Sequence, residues 1–146
     1  MSRSIHPHWE EIDHTADVGV RAFGHTVEEL FTHAAEGMFR IIAGEREVHP
    51  LEERAVTIAP AAGEEGAGPE RLLVRFLSEL LFLCETQRIL FCEFEVEREG
   101  GGLKAVCRGE TLGPDRSGLG MEIKAVTWHG LSLDLERGEA QVIFDV

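Results

Sequence analysis

Residues 70–86 constrain the fold more than any other stretch of this chain. Leu72, Leu73, Phe76, Leu77, Leu80, Leu81 and Cys84 recur there at helical spacing. The apolar face they make is broad, which predicts a helix that is largely buried rather than laid on a surface. A second helix is predicted upstream. Thr26-Val27-Glu28-Glu29 reads as a capping box, in which a hydroxyl and a carboxylate satisfy the first backbone N–H groups. Val27, Leu30, Phe31, Ala34, Ala35, Met38, Ile41 and Ile42 then repeat on one face, and Gly44 is the stop.

Strand patterns surround the helices. Val18 to Phe23 and Arg54 to Ile58 are short and rich in β-branched residues. Leu90, Cys92, Phe94 and Val96 alternate with Glu93, Glu95, Glu97 and Glu99, so one face is expected in the core and the acidic one in water. Gly100-Gly101-Gly102 turns this strand into a partner over Leu103 to Arg108. Glu122 to Trp128, Leu131 to Leu135 and Gln141 to Phe144 complete the strand-like stretches, while Pro60 to Pro69 and Gly113 to Gly120 read as flexible loops. Two helices among about eight strands predict an α+β domain, with both helices packed on a mostly antiparallel sheet. With no repeat and no linker long enough to separate one core from another, residues 1–146 are expected to form a single domain.

Charge narrows the function classes. The formal net charge is −13 and the pI about 4.9. A chain that grips phosphates by itself presents a basic face, so a basic protein partner is expected rather than direct contact with RNA. Cys84, Cys92 and Cys107 form no CxxC pair, which argues against a disulfide scaffold or a zinc ribbon. No apolar run could span a bilayer and the opening residues lack a secretory pattern, so no membrane and a cytoplasmic location are expected. Ser117 is not in a GxSxG elbow, and Gly118-Leu119-Gly120 lacks the third glycine of a dinucleotide fingerprint.

The chemistry concentrates near the two ends of the sequence. Asp13-His14-Thr15-Ala16-Asp17-Val18-Gly19-Val20 stands near one end and Val142-Ile143-Phe144-Asp145-Val146 at the other. Asp145 is one residue from the α-carboxylate of Val146, and carboxylates brought together repel unless a cation or proton lies between them. If folding joins the two segments, a small site for a hard metal results. Taken alone, Asp17 fits equally a turn residue bonding nearby backbone, and Asp145 a solvated strand end. Lys104 and Lys124 are the two lysines among 14 lysines and arginines, and Lys124 by itself fits a surface strand residue as well as a reserved point charge. His6, His8, His25, His33 and His129 lack ligand-spaced neighbours and read as structural.

Four blocks in order carry a resemblance: Asp13 to Gly19, Glu28-Glu29-Leu30-Phe31 to Met38, Ile123-Lys124-Ala125-Val126-Thr127-Trp128-His129-Gly130-Leu131, and Val142 to Val146. On them the chain resembles the archeases, small proteins that assist the RtcB-type RNA-splicing ligase in tRNA processing. The resemblance implies a strand-helix-strand-strand fold with an insertion and a metal held at Asp17, Asp145 and Val146. It also implies a role for Lys124 in ligase activation. All-oxygen ligands suit Ca²⁺ first, with Mg²⁺ or Mn²⁺ as alternatives, and not Zn²⁺. Asp13 and His14 stand close enough to support the ligands but are left outside the set.

The function this implies is a non-enzymatic protein cofactor that promotes guanylylation of the ligase by GTP and its multiple turnover, touching tRNA only through the ligase. A stand-alone metal-dependent hydrolase using the same carboxylates, or an adaptor with a structural metal, are the alternatives. Two departures concern the loop near the ligase: no histidine precedes the lysine block, and Trp128 stands where tyrosine is common in the family.

Overall fold

In the computed structural model, the described residues are 8–13, 17–60 and 68–146. His6, His14 and most of the loop expected between Pro60 and Pro69 lie outside them. The elements follow as β1 (Trp9–Asp13), β2 (Val18–Phe23), α1 (Val27–Ala43), β3 (Glu52–Ile58), α2 (Pro69–Gln87), β4 (Ile89–Glu99), β5 (Gly102–Thr111), β6 (Ala125–Val126), β7 (Ser132–Asp134) and β8 (Glu139–Asp145).

The α1 start is built as its sequence requires. Thr26 Oγ1 accepts the Glu29 N–H at 3.1 Å, and Glu29 Oε1 accepts the His25 N–H at 2.6 Å. That second bond, from the His25 backbone, holds the Glu29 carboxyl below its ordinary value of 4.5. The folded pKa is depressed, so this contact stabilises fully above the unfolded value and is lost as pH falls through the folded one. Glu29→Gln should therefore flatten the acid side of the stability profile below pH 4.5. Thr26→Ala should cost about 1 kcal/mol at every pH. Urea titrations of both variants between acid and neutral pH check the contrast.

The far end of α1 departs from expectation. The segment from Gly113 to Gly120, expected to be a flexible loop, is pinned to the helix. Arg46 Nη1 donates to the carbonyls of Asp115 at 2.7 Å and Ser117 at 3.1 Å. The N–H groups of Gly120 and Met121 donate to the carbonyls of Ile42 and Ile41 at 2.9 and 3.1 Å. The last turn of a helix leaves carbonyls without donors, and this segment supplies them.

The strands form two sheets rather than one. The first has the order β1-β2-β8-β6, with β7 also paired to β8; the second has the order β3-β5-β4. Every pairing among the described residues is antiparallel. α1 packs on β1, β2 and β8 of the first sheet and on β4 of the second, and α2 touches strands of both. Phe31 of α1 stacks on Phe76 of α2 at 6.0 Å, and Phe39 meets Phe91 edge-on at 5.5 Å. One hydrophobic cluster thus runs through both helices and both sheets.

Three strand expectations need correction. β1 was not expected, and its edge position lets polar residues sit in a strand. Only Ala125–Val126 of the stretch from Glu122 to Trp128 pairs as a strand. Cys92 does not share the core face with Leu90, Phe94 and Val96. The β4–β5 register shifts between Phe91 and Glu93, so Phe91 and Phe94 are buried while Cys92 is only half-buried.

Candidate metal centre at the β2–β8–β6 junction

The first sheet brings the two ends of the sequence together. Val18 of β2 pairs with Phe144 of β8. Asp17 directly precedes Val18 and Asp145 directly follows Phe144, so the two aspartates stand one step beyond the last rung of one ladder. On the other side of β8, Ala125 of β6 pairs with Asp145, and the Lys124 N–H donates to the Asp145 carbonyl at 2.7 Å. Asp17, Asp145, Val146 and Lys124 therefore collect at one end of three adjacent strands.

Local sequence explains the closeness. Val18, Val20 and Ala22 face α1 and are buried, as are Phe144, Val142 and Ala140 opposite them. Alternation sends Asp17 and Asp145 to the other face. Gly19 lets β2 and β8 approach there: a Cβ at this position would stand 2.4 Å from the Val142 carbonyl oxygen. Ile123, 2% exposed, anchors the residue before Lys124 in the core. Thr127 fixes the other end of β6, its N–H and hydroxyl donating to the Ile143 carbonyl at 3.0 and 2.9 Å.

Asp145 and Lys124 are exposed, whereas Asp17 and Val146 are half-buried. Among the described residues neither aspartate side chain makes a hydrogen bond or an ion pair. The Asp17 and Asp145 carboxylates, with Val146 adjoining, offer oxygen donors only. That chemistry fits Ca²⁺, Mg²⁺ or Mn²⁺ and does not fit a soft ion.

The acidic face of β4 is partly neutralised. Arg108 of β5 reaches Glu95 at 2.5 Å, Glu53 at 3.1 Å and Glu93 at 3.8 Å, and Lys104 reaches Glu99 at 3.5 Å. The three thiols are free, and burial pushes Cys84 up to about 11 and Cys107 up to about 12, so neither offers a thiolate. One grouping was missed in the sequence. His8 and His33, read as separate structural residues, and Glu36, not singled out, come together at the opposite end of β2. The spacing of His33 and Glu36 on one helical face was the available signal.

The sequence profile of the Archease protein family matches residues 9–146. This chain belongs to the archease family. Protein archease of Methanosarcina mazei is 39% identical over 145 residues, covering 94% of this chain and 95% of the relative. Protein archease of Methanopyrus kandleri is 36% identical over 144 residues, covering 94% and 99%. The fold resembles the solution structure of Methanobacterium thermoautotrophicum protein 1598, with a TM-score of 0.73, 33% identity, and coverage of 94% of this chain and 98% of that one. The blocks that carried the archease resemblance are distant in sequence and adjacent in space. Those around Asp17, Lys124 and Asp145 meet at the junction, and the block within α1 packs beneath β2 and β8.

Proposed function

We propose that this archease is a metal-binding protein cofactor of an RtcB-type RNA ligase in tRNA processing. It promotes guanylylation of the ligase by GTP and allows repeated turnover, and it is not itself a catalyst. The observation that carries this reading is the convergence of Asp17, Asp145, Val146 and Lys124 at one strand end. Family membership supports the role in RNA ligation and tRNA processing.

Asp17, Asp145 and Val146 would hold the ion, with Ca²⁺ as the first choice. When bound it would offset the carboxylate charge at the junction. The chain's own residues do the rest. The Lys124 N–H bond to the Asp145 carbonyl couples the lysine backbone to the strand that bears the ligand. Its exposed ammonium is then presented beside the site, where a ligase carboxylate or a nucleotide phosphate can accept its hydrogen bonds. A net charge of −13 favours approach to a basic cleft and disfavours approach to naked RNA. Three free thiols suit a reducing compartment, in keeping with the cytoplasm. No helix of the described residues is long and apolar enough to cross a membrane.

The test is multiple-turnover RNA ligation by the cognate ligase at limiting enzyme, with and without this protein, over a range of GTP and Ca²⁺ or Mn²⁺. Turnover and the yield of guanylylated ligase should both rise. Ligation unchanged across that range removes the cofactor reading. Phosphoester hydrolysis by the isolated protein, lost in Asp145→Asn, would replace it with the hydrolase reading.

A further inference from the structure

A second cluster of ligating side chains lies away from the junction. The Phe23 N–H donates to the His8 carbonyl at 2.8 Å, which fixes His8 beside the end of β2 remote from Asp17. Six residues of strand separate the two ends, about 20 Å at ~3.3 Å per residue. His33 and Glu36 stand three residues apart on α1 and so project from one face of it. His8 Nδ1 is 3.6 Å from Glu36 Oε1. One ligating atom from each of His8, His33 and Glu36 lies within 4.8 Å of the other two.

The tautomer of His33 is set by its neighbour. Its Nδ1 stands 2.5 Å from the Phe23 carbonyl oxygen, which can only accept, so Nδ1 carries the proton. In the neutral ring the lone pair is then on Nε2. A backbone carbonyl fixing the other ring nitrogen is the usual support for a metal-binding imidazole.

We propose that His8, His33 and Glu36 form a second cation site, specific for Zn²⁺ or a neighbouring transition metal. Two imidazoles and one carboxylate are a zinc ligand set that leaves a fourth position open. Imidazole suits Zn²⁺, Cu²⁺ and Ni²⁺, and Ca²⁺ and Mg²⁺ prefer oxygen. The two sites would thus divide cations by hardness. This inference does not depend on the ligase reading.

The ion-free geometry also says what must move. The His8 and His33 rings are stacked, 4.0 Å between centroids and 8° from parallel. A ring lone pair lies in the ring plane, so two parallel stacked rings cannot both direct one at the same ion. Ligands of a tetrahedral Zn²⁺ stand roughly 3.3 Å apart, given bonds of about 2.0–2.1 Å. The His8 Nδ1–Glu36 Oε1 pair, at 3.6 Å, is already near that spacing, and the other pairs, within 4.8 Å, need to close by about 1.5 Å at most. His33 and Glu36 are held on the helix. His8, whose side chain is 50% exposed, is the one able to rotate out of the stack. A groove of about 540 Å³ that includes His8, His25, His33 and Arg137 adjoins the cluster and leaves room for the fourth ligand. Cys92 lines a neighbouring groove with His8 and Glu36, but its sulfur is not within the 4.8 Å grouping of the three ligands.

The experiment is calorimetric titration of the full chain with Zn²⁺ at neutral pH, in excess Ca²⁺ to saturate the junction. One Zn²⁺ per chain should bind. Its affinity should fall by on the order of 100-fold in His33→Ala, His8→Ala and Glu36→Gln, and stay unchanged in Asp145→Asn. Glu36→Gln keeps the side-chain shape, and thermal melts of all four variants separate lost binding from lost fold. Co²⁺ in place of Zn²⁺ should give the visible absorption of a four-coordinate ion without a thiolate charge-transfer band. Histidine ring resonances should report loss of the stack on binding. Equal Zn²⁺ affinity in wild type and Glu36→Gln, loss of Zn²⁺ binding in Asp145→Asn, or a thiolate band would each overturn the assignment.

Discussion

Asp17→Ala should weaken Ca²⁺ or Mn²⁺ binding by on the order of 100-fold, while Glu95→Gln should leave it unchanged. Both remove one carboxylate from an acidic protein, so a general loss of negative charge cannot account for the contrast. Asp17 stands beside Asp145 at the strand end, whereas Glu95 lies on the other sheet and pairs with Arg108. Without metal, Asp17→Asn should melt no lower than wild type, because one of two adjacent carboxylate charges is gone. Glycines added after Val146 extend the test to that residue, the third of the proposed ligands. They move the α-carboxylate without altering a side chain and should lower metal affinity together with ligase stimulation. Amidating Val146 removes the charge and adds no length. Loss on extension alone would point to crowding or a carbonyl ligand. Titration calorimetry giving equal affinity for wild type and Asp17→Ala takes Asp17 out of the site.

Lys124→Ala should keep metal affinity and lose ligase stimulation. Hydrogen bonds from a charged donor contribute ~1.5–3 kcal/mol, so turnover in the complex should fall about 10- to 100-fold. The Lys124 backbone is held between Ile123, buried in the core, and the Asp145 carbonyl. Its exposed side chain can therefore be shortened without disturbing either anchor. Lys124→Arg should rescue only in part, since a planar guanidinium does not replace a compact ammonium. Multiple-turnover ligation with each variant is the measurement, and full stimulation by Lys124→Ala would return the residue to an ordinary surface role.

The helices were legible because their signal is local. Apolar spacing in α2 and the capping residues of α1 act within a turn or two, and both helices lie close to their expected bounds. The β4 bulge was not legible, because its cause lies on another strand. Gly109 faces it, and a Cβ there would stand 1.8 Å from the Leu90 carbonyl oxygen. Nothing in the alternation around Cys92 reports that accommodation. β1 escaped for a related reason. Trp9 is buried beside α1, but Glu10, Glu11 and Asp13 mask the strand pattern, and Glu10 is partnered by Arg21 of β2 at 2.6 Å.

The candidate junction was legible in a different sense. Aspartates near both ends suggested a junction, but no periodicity predicts which strands pair across such a distance. The choice of Asp17, Asp145 and Val146 came from resemblance, and the sheet register supplies the physical reason these segments meet. His8, His33 and Glu36 had no such guide, since one partner comes from a strand edge and the others from a helix.

The interior position of β8 has a consequence for how the protein is made. β2 is made well before its partner, residues 139–145, and Val18 waits for Phe144. Until then β2 carries an open edge, and the helix beneath it lacks some of its cover. Contacts of such separation are closed late and slowly. Asp145 ends the strand that closes the sheet, so it comes beside Asp17 only once β8 has docked.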